Sequence, residues 1–143
     1  MIDWLKDMIR PIRLTDPQLG RMRYLRQTRT WEGWTEFPAV GRGVDVLLSG
    51  DVTGPTADQR VFLQELKARY EGIFPAVRSN LVEATAAGAL SAAAVEFILV
   101  GLNLPAEVTD EMAWELCYET EPQTRFLAVQ MKGWVPMDVS EEC

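Results

Sequence analysis

The sequence predicts an α+β domain: an antiparallel, strongly twisted sheet, built from an N-terminal three-stranded meander and further C-terminal strands, with two central helices packed on one face. Three observations predict it. Residues 20–50 alternate apolar and polar side chains with period two, residues 56–85 carry apolar side chains at helical spacing, and residues 97–131 return to strand-like runs.

At the N-terminus, Leu5, Met8, Ile9 and Ile12 recur at helical spacing, Asp3 stands where an N-cap would, and Pro11 limits the helix. Residues 1–13 therefore read as a short amphipathic arm of a single domain, 1–143. The polar face of the arm has mixed charge, which favours packing on the domain's own sheet over attachment to an anionic lipid surface.

In the meander, Met22 and Tyr24 alternate with Arg21 and Arg23. Trp31, Gly33, Thr35 and Phe37 then share one face, with Glu32, Trp34 and Glu36 on the other, and Val44, Val46 and Leu48 alternate about Asp45. Turns fall near residues 27–30 and 38–41, where proline and glycine supply the backbone angles. Arg21 and Arg23 invite an anion-binding role. Glu32 and Glu36, on the same solvent face of the next strand, offer cross-strand ion pairs that would absorb that charge.

Helix signals come next. In Gly54-Pro55-Thr56-Ala57-Asp58-Gln59, Thr56 and Gln59 form a capping box and Asp58 complements the helix dipole. The first helix buries Phe62, Leu63, Leu66 and Tyr70 and ends at Gly72. A second begins near Pro75 with Val77, Leu81 and Val82 inward; Gly88 and Ser91 leave its end open. Strand patterns resume with the Phe97 to Leu104 run, which stops at Pro105, and with the alternation from Trp114 to Glu119. Residues 126–131 are apolar on both faces, as in a central strand covered on two sides, and residues 138–143 read as a frayed terminus.

Composition restricts the chemistry. The chain has no histidine, and its two cysteines are Cys117 and Cys143. Ser-His-Asp and Cys-His sites are therefore excluded, zinc lacks its usual ligands, and no cofactor is implied. Two cysteines build no disulfide framework, which suggests a reducing compartment. Charges among residues 1–14 interrupt any signal-peptide core, and the longest charge-free run, 84–95, is too short to span a bilayer, so a cytoplasmic location is expected. Residues 1–50 hold eight of the 14 basic residues and six of the 21 acids. The remainder carries six bases and 15 acids, and the total is −7. That balance disfavours nucleic acid and suits a basic protein as partner.

Glu107, Asp110, Glu111 and Glu115 are the densest acidic group, without the spacing of an EF-hand loop. Gly41-Arg42-Gly43 leads into a strand and reads as a hairpin turn rather than a phosphate cradle. Cys117 shares strand parity with Glu115 and Glu119, so partial exposure is expected, but no base stands by to activate it. Of the five tryptophans, Trp31 and Trp114 fit the core. Trp34 and Trp134 have positions compatible either with exposure, as binding anchors, or with packing beneath a loop.

The order of a Trp-Glu-Gly turn at 31–33, Gly-Pro-Thr at 54–56 leading to Gln59-Arg60, a hydrophobic strand ending Leu104-Pro105, Trp114-Glu115-Leu116 and Met131-Lys132-Gly133-Trp134 resembles an uncharacterised family of small bacterial proteins. Some members of that family are encoded near toxin and immunity loci. The resemblance implies immunity-like binding and carries over no catalytic residue. The expected function is thus a non-catalytic protein-binding factor, of the immunity type that neutralises a basic toxin, with Trp34, Trp134, Glu107, Asp110 and Glu111 as partner-binding residues. The alternative is a carboxylate-dependent hydrolase or a small-ligand sensor, which would need a concave pocket with two convergent acids.

Overall fold

The computed structural model describes residues 11–86 and 95–141. Its elements are β1 (Ile12–Asp16), β2 (Gly20–Leu25), β3 (Thr30–Phe37), β4 (Arg42–Ser49), α1 (Ala57–Ala86), β5 (Glu96–Leu104), β6 (Ala113–Glu121), β7 (Phe126–Lys132) and β8 (Val135–Glu141). All eight strands lie in one sheet in chain order. Neighbours pair antiparallel except β4 and β5, which run parallel with Val46 opposite Leu102 and Leu48 opposite Leu104. A parallel pair requires a crossover, and α1 supplies it.

The expected α+β class with two central helices is corrected: the described residues form a β-rich fold with a single helix of 30 residues, and the sheet is not wholly antiparallel. Gly72 and Pro75, the residues that suggest a break, both lie inside α1. They are tolerated because the buried stripe runs unbroken past them. Phe62, Leu66, Tyr70, Val77 and Leu81 are all buried, with Ile73 and Phe74 partly buried between them. Continuous packing on the sheet outweighs the helix propensity lost at a glycine and the hydrogen bond lost at a proline, both of which face solvent here.

The alternation in residues 20–50 sets the faces. Tyr24 stands opposite Trp31, Trp31 opposite Leu48 and Thr35 opposite Val44, so these side chains share the face that α1 covers. Leu102, Leu116 and Val129 continue it across β5, β6 and β7. Phe37 meets Tyr70 of α1 edge-on at 5.2 Å, and the hydroxyls of Tyr70 and Tyr118 share a buried hydrogen bond of 2.5 Å. Burial pushes the Tyr70 phenol up to about 12. Thr35, the polar member of the inner row, accepts a hydrogen bond from Lys67 Nζ at 2.7 Å.

Two strands lack a clean sequence signal. β1 takes in Ile12 and Arg13, the end of the expected arm; residues 1–10 of that arm lie outside the described residues, as does the end of the helix near Gly88 and Ser91. At the other edge, residues 138–141 are not frayed but complete β8. Its Val135 and Met137 are exposed and Pro136 interrupts it, a composition that edge strands accept because one side of the backbone needs no partner. The two-sided cover expected of β7 is corrected: Leu127, Val129 and Met131 are buried on the helix side, but on the other face Phe126 is 49% exposed and Gln130 half-buried, with Ala128 alone enclosed by its neighbours in the sheet.

The corner between β1 and β2 is tied to the helix by Asp16. Its Oδ2 accepts the backbone N–H groups of Gln18 and Leu19 at 2.9 and 3.0 Å, and its Oδ1 accepts Arg60 Nε at 2.7 Å. Burial alone would raise its pKa; the Arg60 contact and the two N–H donors outweigh burial and hold it below the ordinary aspartate value. A carboxylate lowered on folding contributes stability above its unfolded pKa and loses it as pH falls through the folded one. The stability gap between wild type and Asp16→Asn, measured by urea unfolding, is therefore expected to hold above about pH 5 and to narrow as pH falls through the unfolded value of about 3.9 and on through the lower folded one. A gap that stays constant would show that the charge of Asp16 contributes nothing.

Candidate functional site

The residues singled out from the sequence fall into two separate places. Trp34 projects from β3 on the outer face of the sheet, opposite the helix-covered side, with Asp45 as its cross-strand partner. It is 50% exposed. Its ring lies over Gly43, where any Cβ would stand 1.8 Å from the ring. The absence of a side chain at Gly43 is what lets the indole lie against the sheet. Around it, Arg13, Arg21, Arg23, Glu32 and Asp45 line an open depression of about 650 Å³. Arg23 pairs with Glu32 at 3.3 Å, the cross-strand ion pair that the alternation implies.

Trp134 occupies the turn between β7 and β8 and is largely packed. It stacks on Phe62 of α1 with centroids 4.7 Å apart and planes at 12°, and meets Trp114 nearly at right angles. The guanidinium of Arg69 sits over its ring at 4.8 Å, and the same arginine pairs with Glu65 one turn earlier at 2.7 Å. The turn is fixed beneath: Trp114 Nε1 donates to the Gly133 carbonyl at 2.6 Å, and the Gly133 N–H donates to the Met112 carbonyl at 2.9 Å.

Asp110 lies exposed in the β5–β6 loop and shares with Trp134 a smaller depression of about 260 Å³, to which Asp58, Val61, Phe62 and Glu65 also contribute. Glu107 and Glu111 are exposed in the same loop but outside that lining. The structure thus joins Asp110 to Trp134 and leaves Trp34 on the other face of the sheet. Asp58 and Glu65 are site residues that sequence reasoning misses. The available signal is the spacing of Asp58, Phe62 and Glu65, three to four residues apart, which places them on one side of a helix.

Cys117, expected to be partly exposed, is buried instead. It follows the outer-face parity of Glu115 and Glu119, but its cross-strand neighbours are Gly101 and Ala128, and the crowded row encloses it. Among the described residues no group of three or more cysteine, aspartate or glutamate side chains is arranged to hold a metal ion, and no helix is long and apolar enough to cross a membrane. Comparison with protein-family models, curated proteins and solved structures finds no match.

Proposed function

We propose that this chain is a non-catalytic protein-binding factor of immunity type, acting in the cytoplasm, whose acidic depression beside Trp134 receives a basic side chain of the protein it neutralises. The observation that carries the reading is the meeting of Asp110, Asp58 and Glu65 with the Phe62–Trp134 stack. The exposed carboxylates of Asp58 and Asp110 suit a guanidinium or ammonium group, which would pair with them at the edge of the aromatic stack. The Trp134 ring itself is engaged by Phe62 and by the Arg69 guanidinium, which Glu65 holds in place, so the stack forms a fixed wall for the incoming cation. Val61, 64% exposed at the rim, adds apolar contact. The net charge of −7 would accelerate encounter with a basic partner. Acid–base hydrolysis is a poorer account of the same three carboxylates: Asp58 and Asp110 are exposed, and Glu65 is committed to Arg69, so no two of them converge in an enclosed pocket.

The test separates the charge of the loop that carries Asp110 from bulk charge. The triple reversal Glu107→Lys, Asp110→Lys, Glu111→Lys is compared with Glu71→Lys, Glu83→Lys, Glu96→Lys, which changes net charge equally at exposed positions elsewhere. A basic protein retained by the immobilised wild-type chain is expected to bind the first variant at least about tenfold more weakly and the second nearly as wild type. Equal weakening by both would reduce the effect to net charge. The partner, expressed alone, should be toxic, and toxicity unchanged by co-expression removes the immunity role.

A further inference from the structure

The outer face of the sheet is a second surface: on β1 and β2 its charged side chains, Arg13, Arg21 and Arg23, are all basic, while β3 and β4 set Glu32, Glu36 and Asp45 beside them. Arg13 and Arg23 are direct cross-strand partners, and Arg21 lies two residues from Arg23 on the same exposed face. Like charges placed opposite one another weaken a sheet. Of the three, only Arg23 has a carboxylate partner; the side chains of Arg13 and Arg21 form no ion pair or hydrogen bond among the described residues. Within a chain of net charge −7, this arrangement sets two guanidinium groups without a carboxylate partner among the described residues beside a half-exposed tryptophan.

The geometry points to a docking surface for an acidic, extended segment of a partner protein, laid along β1 and β2 with Trp34 as its apolar anchor. Side chains at i and i+2 of a strand stand about 7 Å apart on one face, so Arg21 and Arg23 match alternate carboxylates of an extended segment residue for residue. Arg13, opposite Arg23, widens the basic strip to two strands. Apolar side chains of such a segment meet the open face of the Trp34 indole, whose other face is covered by Gly43. Glu32 and Asp45 close the depression on its β3–β4 side and oppose a polyanion spread over the whole face, which favours a peptide with spaced carboxylates over a nucleic acid.

The test uses a capped eight-residue peptide, Glu-Ser-Glu-Ser-Val-Ser-Val-Ser, whose glutamates and valines share one face when extended, and its lysine counterpart, titrated into the full chain by calorimetry at about 50 mM and about 500 mM salt. Saturable binding of the acidic peptide alone is expected, weaker at high salt. It should weaken by about tenfold or more in Arg13→Glu/Arg21→Glu, and by a similar factor in Trp34→Ala. Gly43→Val, which drives the indole from its seat without removing it, should reproduce the Trp34→Ala loss; both are read beside a thermal unfolding curve, while the exposed arginine pair tests the surface without touching the core. Reversal of Glu107, Asp110 and Glu111 should leave this binding intact, so its failure is distinguishable from failure at the Trp134 depression. Acidic-peptide binding that is absent, or indifferent to the arginine reversal, would overturn the assignment. So would tighter binding of a single-stranded oligonucleotide of equal charge, or self-association of the chain that the arginine reversal abolishes.

Discussion

Gly133→Ala is expected to destabilise the fold by about 2–4 kcal/mol, a large share of a domain's net stability. Gly133 adopts φ +56, where a side chain is strained, and an added Cβ would stand 2.3 Å from the backbone oxygen of Asp110. That oxygen belongs to the β5–β6 loop and cannot swing aside as a flexible side chain would. The Gly133 carbonyl and N–H meanwhile hold Trp114 and Met112, so retreat of the turn would break both bonds. Gly41→Ala serves as the control, since Gly41 has φ +66 but nothing within 4 Å of its added Cβ. It should lose only the conformational part, about 1 kcal/mol. Chemical unfolding of both variants separates steric from conformational cost; equal losses would mean that the loop yields freely. Because the displaced loop carries Glu107, Asp110 and Glu111, Gly133→Ala should also weaken binding of the proposed basic partner more than its stability loss alone would explain.

The parts of this fold that can be read from the sequence are those with a periodic apolar pattern or a local cap. The alternation around Trp31 and Val46 places both faces of the meander correctly and gives Trp34 the outer-face parity of Glu32 and Glu36; whether it is exposed or packed is left open by the sequence, and the structure has it 50% exposed. The Thr56–Gln59 capping box stands as read, with the Gln59 N–H donating to Thr56 Oγ1 at 3.0 Å and the Thr56 N–H donating to Gln59 Oε1 at 2.9 Å. Tertiary packing decides the rest. Gly72 and Pro75 are local breakers that a long buried stripe overrides. β1 alternates Ile12 and Leu14 with exposed Arg13 and Thr15 but is five residues long and continues the helical spacing of residues 5–12, while β8 loses its period opposite the irregularity between Gln130 and Met131. For the sites, the cross-strand pairing of Arg13 with Arg23 cannot be seen without β1, and the meeting of Asp110 with Trp134 joins two loops through a glycine whose role is steric.

Gln59→Leu is expected to cost about 3–5 kcal/mol, because one buried amide closes the junction of the helix and the parallel strands. Its Nε2 donates to the Ser49 carbonyl at 2.8 Å and to the Pro105 carbonyl at 2.9 Å, at the ends of β4 and β5, while its Oε1 caps the helix. Leucine fills a similar volume and leaves these groups without their partner. Gln59→Glu isolates the two donated bonds, since the introduced carboxyl still offers Thr56 an acceptor but turns its second oxygen towards two carbonyls. Repulsion and burial favour its protonated form, which raises the folded pKa above the unfolded value of about 4.3. A group raised on folding is tolerated best below its unfolded pKa and costs progressively more as pH rises towards its folded one. Each tenfold difference between its folded and unfolded acid dissociation constants corresponds to about 1.4 kcal/mol. Urea unfolding should therefore show the gap between wild type and Gln59→Glu widening from about pH 4 to pH 7, while the Gln59→Leu gap stays nearly flat. Parallel behaviour of the two variants would mean that the strand-end carbonyls find water when the amide is lost, and that the capping bonds alone hold the geometry of this corner.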